Sequence, residues 1–254
     1  EPAYAAVLGE GGYSFQNVAA MNNKGIEFNL SWRDSKDDFS YEISFNGSLN
    51  KNRITELPEQ VYYTWGCGNG DNISNVGHPL GSWLGYKTDG LFRTQAEVDE
   101  YMSRYEVQYG APGVGRLRYV DTNGDNVINA KDRIFMGSDQ PKFIGGLNFS
   151  ANWKGFDLSL FFNGMVRDAW NNSKFYTNLW AYWSGNHSTR LLEAYDAWEN
   201  YEKTGRYDSD IPALTTSGSN NENGSSDFFV ENGSYLKLKT LTLGYTLPEK
   251  VLEK

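Results

Sequence analysis

Histidine and cysteine are nearly missing from this chain: His78, His187 and the single Cys67 are all it has in 254 residues. One thiol cannot build an internal disulfide framework. Neither histidine has a second ligand at metal-binding spacing. Cys67 lies in a Gly/Asn-rich stretch with no base beside it, so a nucleophile has no support. No glycine-rich phosphate loop follows a strand into a helix, and the many carboxylates single out no glycosidase pair. The chain reads as a non-enzyme. Basic side chains are outnumbered 23 to 32, and the net charge of −9 argues against a nucleic-acid partner. No apolar run approaches the length of a transmembrane helix, which leaves open a barrel, whose strands signal far more weakly. Glu1-Pro2-Ala3-Tyr4 has no leader character and reads as the middle of a longer chain.

What is abundant is aromatic residues, 15%, and glycine, 27 residues, a balance that favours strands and turns. The clearest strand places Ile26, Phe28, Leu30 and Trp32 on one face and Glu27, Asn29, Ser31 and Arg33 on the other. After a polar turn, Asp34 to Asp38, a second strand sets Phe39, Tyr41, Ile43, Phe45 and Leu49 against Ser40, Glu42, Ser44, Asn46 and Ser48. A second hairpin follows later, joined only by Lys154-Gly155. Its strands set Leu147, Phe149, Ala151 and Trp153, then Phe156, Leu158, Leu160 and Phe162, against polar alternates, with Phe161 the exception. The closing stretch, Phe228 to Leu247, changes phase: Leu236 and Leu238 are even, Leu241, Leu243 and Tyr245 odd, which predicts a bulge.

Between these strands lie two long excursions, about 50–142 and 165–227. The first carries a capping-box pattern, Thr94 to Glu97, ahead of Val98, Tyr101, Met102 and Tyr105 at helical spacing. The second predicts a helix capped by Ser188 and stopped by Gly205, with Leu191, Tyr195 and Trp198 on its packing side. Tight turn, long loop, tight turn, long loop is the habit of outer-membrane barrels, and strands of about ten or eleven residues would cross a bilayer when tilted. Trp32, Phe39, Tyr41, Trp153 and Phe156 gather beside the tight turns, where an interfacial aromatic girdle would fall. The rival is a secreted or surface calcium-stabilised β-domain that binds glycans without transport. There the apolar face would be buried in a core, and no detergent would be needed.

One loop suggests a cation. Asp121 to Asp132, DTNGDNVINAKD, places Asp121, Asn123 and Asp125 at positions 1, 3 and 5 of an EF-hand-like count. Val127 offers a carbonyl at 7, Asn129 a water-mediated contact at 9, and Asp132 closes at 12. Hard oxygens so spaced suit calcium or a close divalent relative, as a structural staple. Asn126 stands where Gly is usual and Asp132 where Glu is usual, and an Asn/Asp turn without metal has the same composition. For a ligand, the candidates are Trp170, Tyr176, Trp180, Tyr182 and Trp183, whose rings could stack on sugar faces or pack the loop's own core, with Trp65 and Trp83 equally ambiguous.

Four segments in order resemble the SusC/RagA family of TonB-dependent outer-membrane transporters. They are NNKGIEFNLSW (Asn22 to Trp32), GHPLGSWLGYKTDGLF (Gly77 to Phe92), Tyr119 to Gly164 with its KGFDLS hairpin, and SDFFVENGSYLKLKTLTLGYTLP (Ser226 to Pro248). The resemblance implies an all-β fold: part of a large antiparallel transmembrane barrel, of about twenty-two strands in the family, with long extracellular loops carrying short helices. On this reading residues 1–254 are a partial C-terminal barrel, without the plug and without the first and last strands. It further implies import of a large nutrient, an oligosaccharide or in some members a peptide. The partners would be a SusD-like surface lipoprotein, the TonB complex acting through the plug, and outer-membrane lipid, in a Gram-negative cell.

Overall fold

A computed structural model describes residues 19–58, 61–63, 71–174, 188–215 and 224–248. Its frame is a five-stranded sheet in which each strand pairs with its predecessor in the sheet. The strands are Ala20–Lys36, Phe39–Glu56, Phe143–Trp153, Phe156–Val166 and Tyr235–Tyr245, all antiparallel. Such a meander keeps neighbours adjacent however long the chain between them. The first turn is shorter than the sequence suggests: it is Asp37-Asp38 alone, with Asp37 at φ 52°, and the strand holds to Lys36. The second turn has Lys154 at φ 47° and Gly155 at φ 87°, the left-handed pair of a type I′ hairpin that matches strand twist.

The first two strands are 17 and 18 residues long, well beyond the ten or eleven that the alternation indicates. At about 3.4 Å per residue they reach roughly 55–60 Å, about twice a bilayer's hydrocarbon core. The added length is polar and lies at the loop end, where Lys51, Asn52 and Arg53 pair with Lys24, Asn23 and Asn22. Polar residues there interrupt the apolar alternation while backbone pairing continues. The expected bulge is present: Phe161 pairs with Thr240 and Phe162 with Leu238, so Lys239 is the extra residue and the leucines regain one face.

Close packing on the sheet needs glycine at one point. Gly47 faces Phe28 and pairs with Gly145, and a methyl on Gly47 would lie 2.5 Å from the Phe28 ring and 2.8 Å from that of Phe143. Phe161, the apolar residue on the polar face, lies over Gly146, which offers no side chain to oppose it.

The buried core lies in the excursions. Phe92, Tyr101, Tyr119, Ile128, Tyr207 and Ala213 meet there, drawn from both excursions. Backbone bonds tie the two together, Tyr207 N–H to the Arg93 carbonyl at 2.8 Å and Ala213 N–H to the Gly115 carbonyl at 2.9 Å. The Arg93 guanidinium donates to the carbonyls of Tyr207 and Ser209 and to Asp210. A four-stranded sheet, in the order 133–137, 82–86, 71–74, 61–63, flanks the core. This loop body is fastened to the wall where Ile54 N–H donates to the His78 carbonyl, Gly77 N–H to the Ile54 carbonyl, and Leu80 N–H to Asn52 Oδ1.

Both helices form. In Gln95–Arg104, Thr94 caps the Glu97 amide, while the Glu97 carboxylate reaches back to the Arg93 amide, one residue beyond the usual box partner. Val98 and Tyr101 are buried, but Met102 is exposed, because the core lies to one side of that stripe. In Leu191–Thr204, stopped by Gly205 in the left-handed region, the buried face is Leu191, Ala194 and Ala197. That corrects the packing side read from the sequence: Tyr195 is 53% and Trp198 39% exposed. Small alanines let the helix backbone approach the core closely, and the large rings are turned outward. Trp198 still touches the Tyr201 and Tyr207 rings from the rim.

Candidate functional site

The two faces of the wall differ in chemistry. On one, Ile26, Leu30 and Trp32 align through the register with Leu49, Phe45 and Ile43, Phe28 lies over Gly47, and the apolar residues of the other three strands continue the band. This face is open: Ile26 is 67%, Leu30 65%, Leu241 65% and Leu243 72% exposed. A continuous apolar band of that size is not stable against water and marks contact with an apolar medium or partner. A water-soluble sandwich would have buried it under a second sheet. The aromatic girdle sits at the tight-turn end as expected, and Tyr245 joins it, 4.5 Å from Phe156. The sequence pattern already carried Tyr245 in the right phase, but only the register puts it beside Phe156. The opposite face carries Asn29, Asn46, Ser44, Asn148 and Ser150, with Arg33 and Glu42 paired directly across the strands. Those side chains suit water.

The Asp/Asn loop folds on its own backbone. Asp121 accepts from the amides of Gly124 and Asn126, Asn123 from Asp125, Asp125 from Val127, and Asn129 from Lys131. Asn126 stands at φ 60°, supplying the left-handed turn that glycine would otherwise provide. The carbonyls of Asn126 and Ile128 accept from Glu106 and Gln108. Carbonyls alternate along a strand, so that of Val127 is turned away from this partner. Asp132 is fully buried and accepts from the Thr122 and Asn129 amides. Among the described residues no three acidic, histidine or cysteine side chains converge. Both carboxylate oxygens of Asp121 and both of Asp132 are thus taken up by backbone amides of the loop. Burial opposes ionisation of Asp121, but the amides of Asn126, Gly124, Asn123 and Asp125 outweigh it and hold its pKa below the ordinary range.

Of the aromatic ligand candidates, Trp170 and Trp83 lie among the described residues; Tyr176, Trp180, Tyr182, Trp183 and Trp65 lie outside them. Trp170 stacks on the fully buried Phe229 at 5.1 Å and leans on the buried Trp83 at 6.1 Å. Its indole N–H is enclosed without an acceptor among the described residues. Near its strand, an open cleft of about 790 Å³ separates the loop-end extension of the first two strands from segment 135–142. Ile26, Leu49, Pro79 and Phe135 line it, with Lys24, Lys51 and Lys142 at its polar positions. His78 stacks on Phe135 at 3.5 Å.

No family model matches the chain. It is 29% identical over 240 residues to TonB-dependent receptor P26 of Formosa agariphila, covering 92% of this chain and 23% of that receptor. Against TonB-dependent receptor SusC of Bacteroides thetaiotaomicron it is 27% identical over 237 residues, 91% of this chain and 21% of SusC. The chain is similar to the SusC-type TonB-dependent receptors. It spans about a quarter of the length of these relatives. The solved RagAB peptide transporter superposes with a TM-score of 0.68 at 22% identity, over 99% of this chain and 25% of that one, which extends the likeness to the fold. SusC-type receptors are barrels of the Gram-negative outer membrane, and the bare apolar band of this segment matches the face that such a barrel turns to lipid.

Proposed function

We propose that this segment forms barrel wall and extracellular loops of a TonB-dependent importer of a large nutrient, an oligosaccharide, that works with a SusD-like surface lipoprotein. The observation that carries it is the wall itself: apolar and open on one side, hydrated on the other, with its folded loop body at one end only. The loop body would then contribute to the cavity and to the surface met by the lipoprotein, and transport would proceed by gated binding without covalent chemistry. Energy would come from the TonB complex acting outside this segment. A peptide is the second reading of the substrate, favoured by the likeness to a peptide transporter. Trp170, Tyr176, Trp180, Tyr182 and Trp183 are the substrate-contact candidates on this reading.

We also propose calcium as a structural staple of the 121–132 loop, held by Asp121, Asn123, Asp125 and Val127, with Asn129 through water and Asp132 behind. When bound it would neutralise the carboxylates of Asp121 and Asp125 and fix the turn. Calorimetric titration of the full-length receptor with calcium checks this, and Asp125→Ala is expected to weaken binding at least tenfold, since it deletes one of few charged ligands.

The direct test of function is uptake in cells expressing the full-length receptor, comparing fluorescent oligosaccharides with peptides of similar mass. Uptake of the oligosaccharide that disappears when TonB is deleted supports the proposal. Peptide uptake alone changes the substrate to the second reading, and a receptor recovered in the soluble fraction overturns import altogether.

A further inference from the structure

The chain carries a net charge of −9, yet three cations gather on one small area with no acidic partner among the described residues. Lys24 and Lys51 stand directly opposite each other in the register, and Arg53 follows two residues on, on the same face. All three are exposed. Among the described residues none makes a side-chain ion pair or hydrogen bond, whereas Arg33, Arg93, Arg118, Lys142, Lys174 and Arg206 each have a carboxylate. The face is decided by alternation: Lys24 shares it with Ile26, Phe28 and Leu30, and Lys51 with Leu49 and Phe45. The cations therefore cap the loop-end edge of the lipid-facing band, at the level where a headgroup would lie.

We propose that Lys24, Lys51 and Arg53 bind the phosphate groups of an anionic lipid in the outer leaflet, its acyl chains lying along Ile26, Leu49 and the band beneath. Two like charges directly across a strand pair destabilise it, and an anion between them reverses that cost. Lysine serves phosphate as a point charge and arginine as a fork. The adjoining cleft, with Ile26, Leu49, Pro79 and Phe135 in its walls, gives the headgroup's apolar parts a recess beside the charges. Lys142 is held by Asp168, at 2.7 Å, and serves the cleft only as a lesser charge.

The inference rests on the lipid-facing reading of the wall, and the test separates the two. Full-length receptor in detergent is titrated with bisphosphorylated lipid A and with the same lipid dephosphorylated, and bound lipid is counted by native mass spectrometry. Expected is tight retention of one phosphorylated lipid, lowered about a hundredfold by K24Q/K51Q/R53Q and restored by the charge-keeping K24R/K51R/R53K. Retention that ignores either the phosphates or the three substitutions overturns the inference while leaving the membrane wall intact. So does displacement by millimolar inorganic phosphate, which would make the site one for a free anion. Loss of the partner lipoprotein from the triple variant with lipid retention unchanged also overturns it, making the patch a protein contact. A receptor that stays in solution without detergent instead sinks the wall reading itself.

Discussion

The wall and the loop body obey opposite rules. In the wall, large apolar side chains such as Leu30 and Leu243 are exposed and Gly47, Gly145 and Gly146 sit under phenylalanine rings. In the loop body, Phe92, Tyr207 and Ile128 are fully buried around a core that the excursions build for themselves. Loops of this length are usually held by the scaffold they decorate. Here the scaffold has its hydrophobic face turned outward and has little core to lend, so the excursions fold on one another. The lesson is that burial measures the solvent each part was selected for: lipid replaces the missing core in one and water surrounds the other.

That contrast can be broken most severely from the loop side. Phe92→Ala empties a fully buried site in contact with Tyr101 and should cost about 3–5 kcal/mol. In the full-length receptor, hydrogen exchange of segments 88–132 and 191–213 should rise together, with the wall strands unchanged. Wall and loops melting as one unit would sink the idea of two separately stabilised regions.

From the wall side the test is a pair. Leu30→Arg places a charge on the band, where about 2–4 kcal/mol is expected at mid-depth, while Ser31→Arg, one residue on and facing the lumen, should cost about 0–1 kcal/mol. Urea titration of receptor folded into vesicles reads both. Equal costs would mean that the two faces have been assigned wrongly.

Much of this was legible beforehand because period two survives any environment. The hairpin at Lys154-Gly155, the girdle residues and the bulge at Lys239 all follow from alternation, which needs no knowledge of what lies outside the sheet. Helix faces were less legible. Tyr195 and Trp198 are the larger residues and so take the packing side on sequence grounds, yet Ala194 and Ala197 hold it, because their small side chains let the helix backbone lie close to the core while Trp198 meets Tyr207 only from the rim. The cation patch was missed for a related reason: Lys24 and Lys51 are in phase with the band, but their pairing lies in the register between two strands. Trp170 illustrates a third limit, since its partners Trp83 and Phe229 are distant in the chain and no local pattern joins them.

The helix face gives a smaller test of the same contrast. Ala197→Leu adds bulk where backbone meets core and should cost about 1–3 kcal/mol, whereas Trp198→Ala, at the rim, should cost less than about 1 kcal/mol. Thermal melts of the loop body, followed by near-ultraviolet circular dichroism, would rank them. The reverse ranking would restore the face expected from the sequence.

The gentlest perturbation is pH, and it too should act on the loops and spare the wall. Asp121 is held below the ordinary carboxylate range by the amides of Gly124, Asn126, Asn123 and Asp125, against the opposing effect of burial. A depressed pKa means that the folded state favours the charged form, so this stabilisation is complete above the unfolded value of about 3.9 and fades as pH falls through the lower folded value. Protonation would loosen the amides that Asp121 holds and, with them, the 121–132 turn. Protease cleavage within that turn should therefore be constant from neutral pH down to about 5 and rise below about 4, with Asp121→Asn cleaved at a rate that varies less over the same range. Because the group is only partly buried, the effect will be small and confined to the turn. Cleavage that rises equally in both proteins would assign the acid sensitivity to a group other than Asp121.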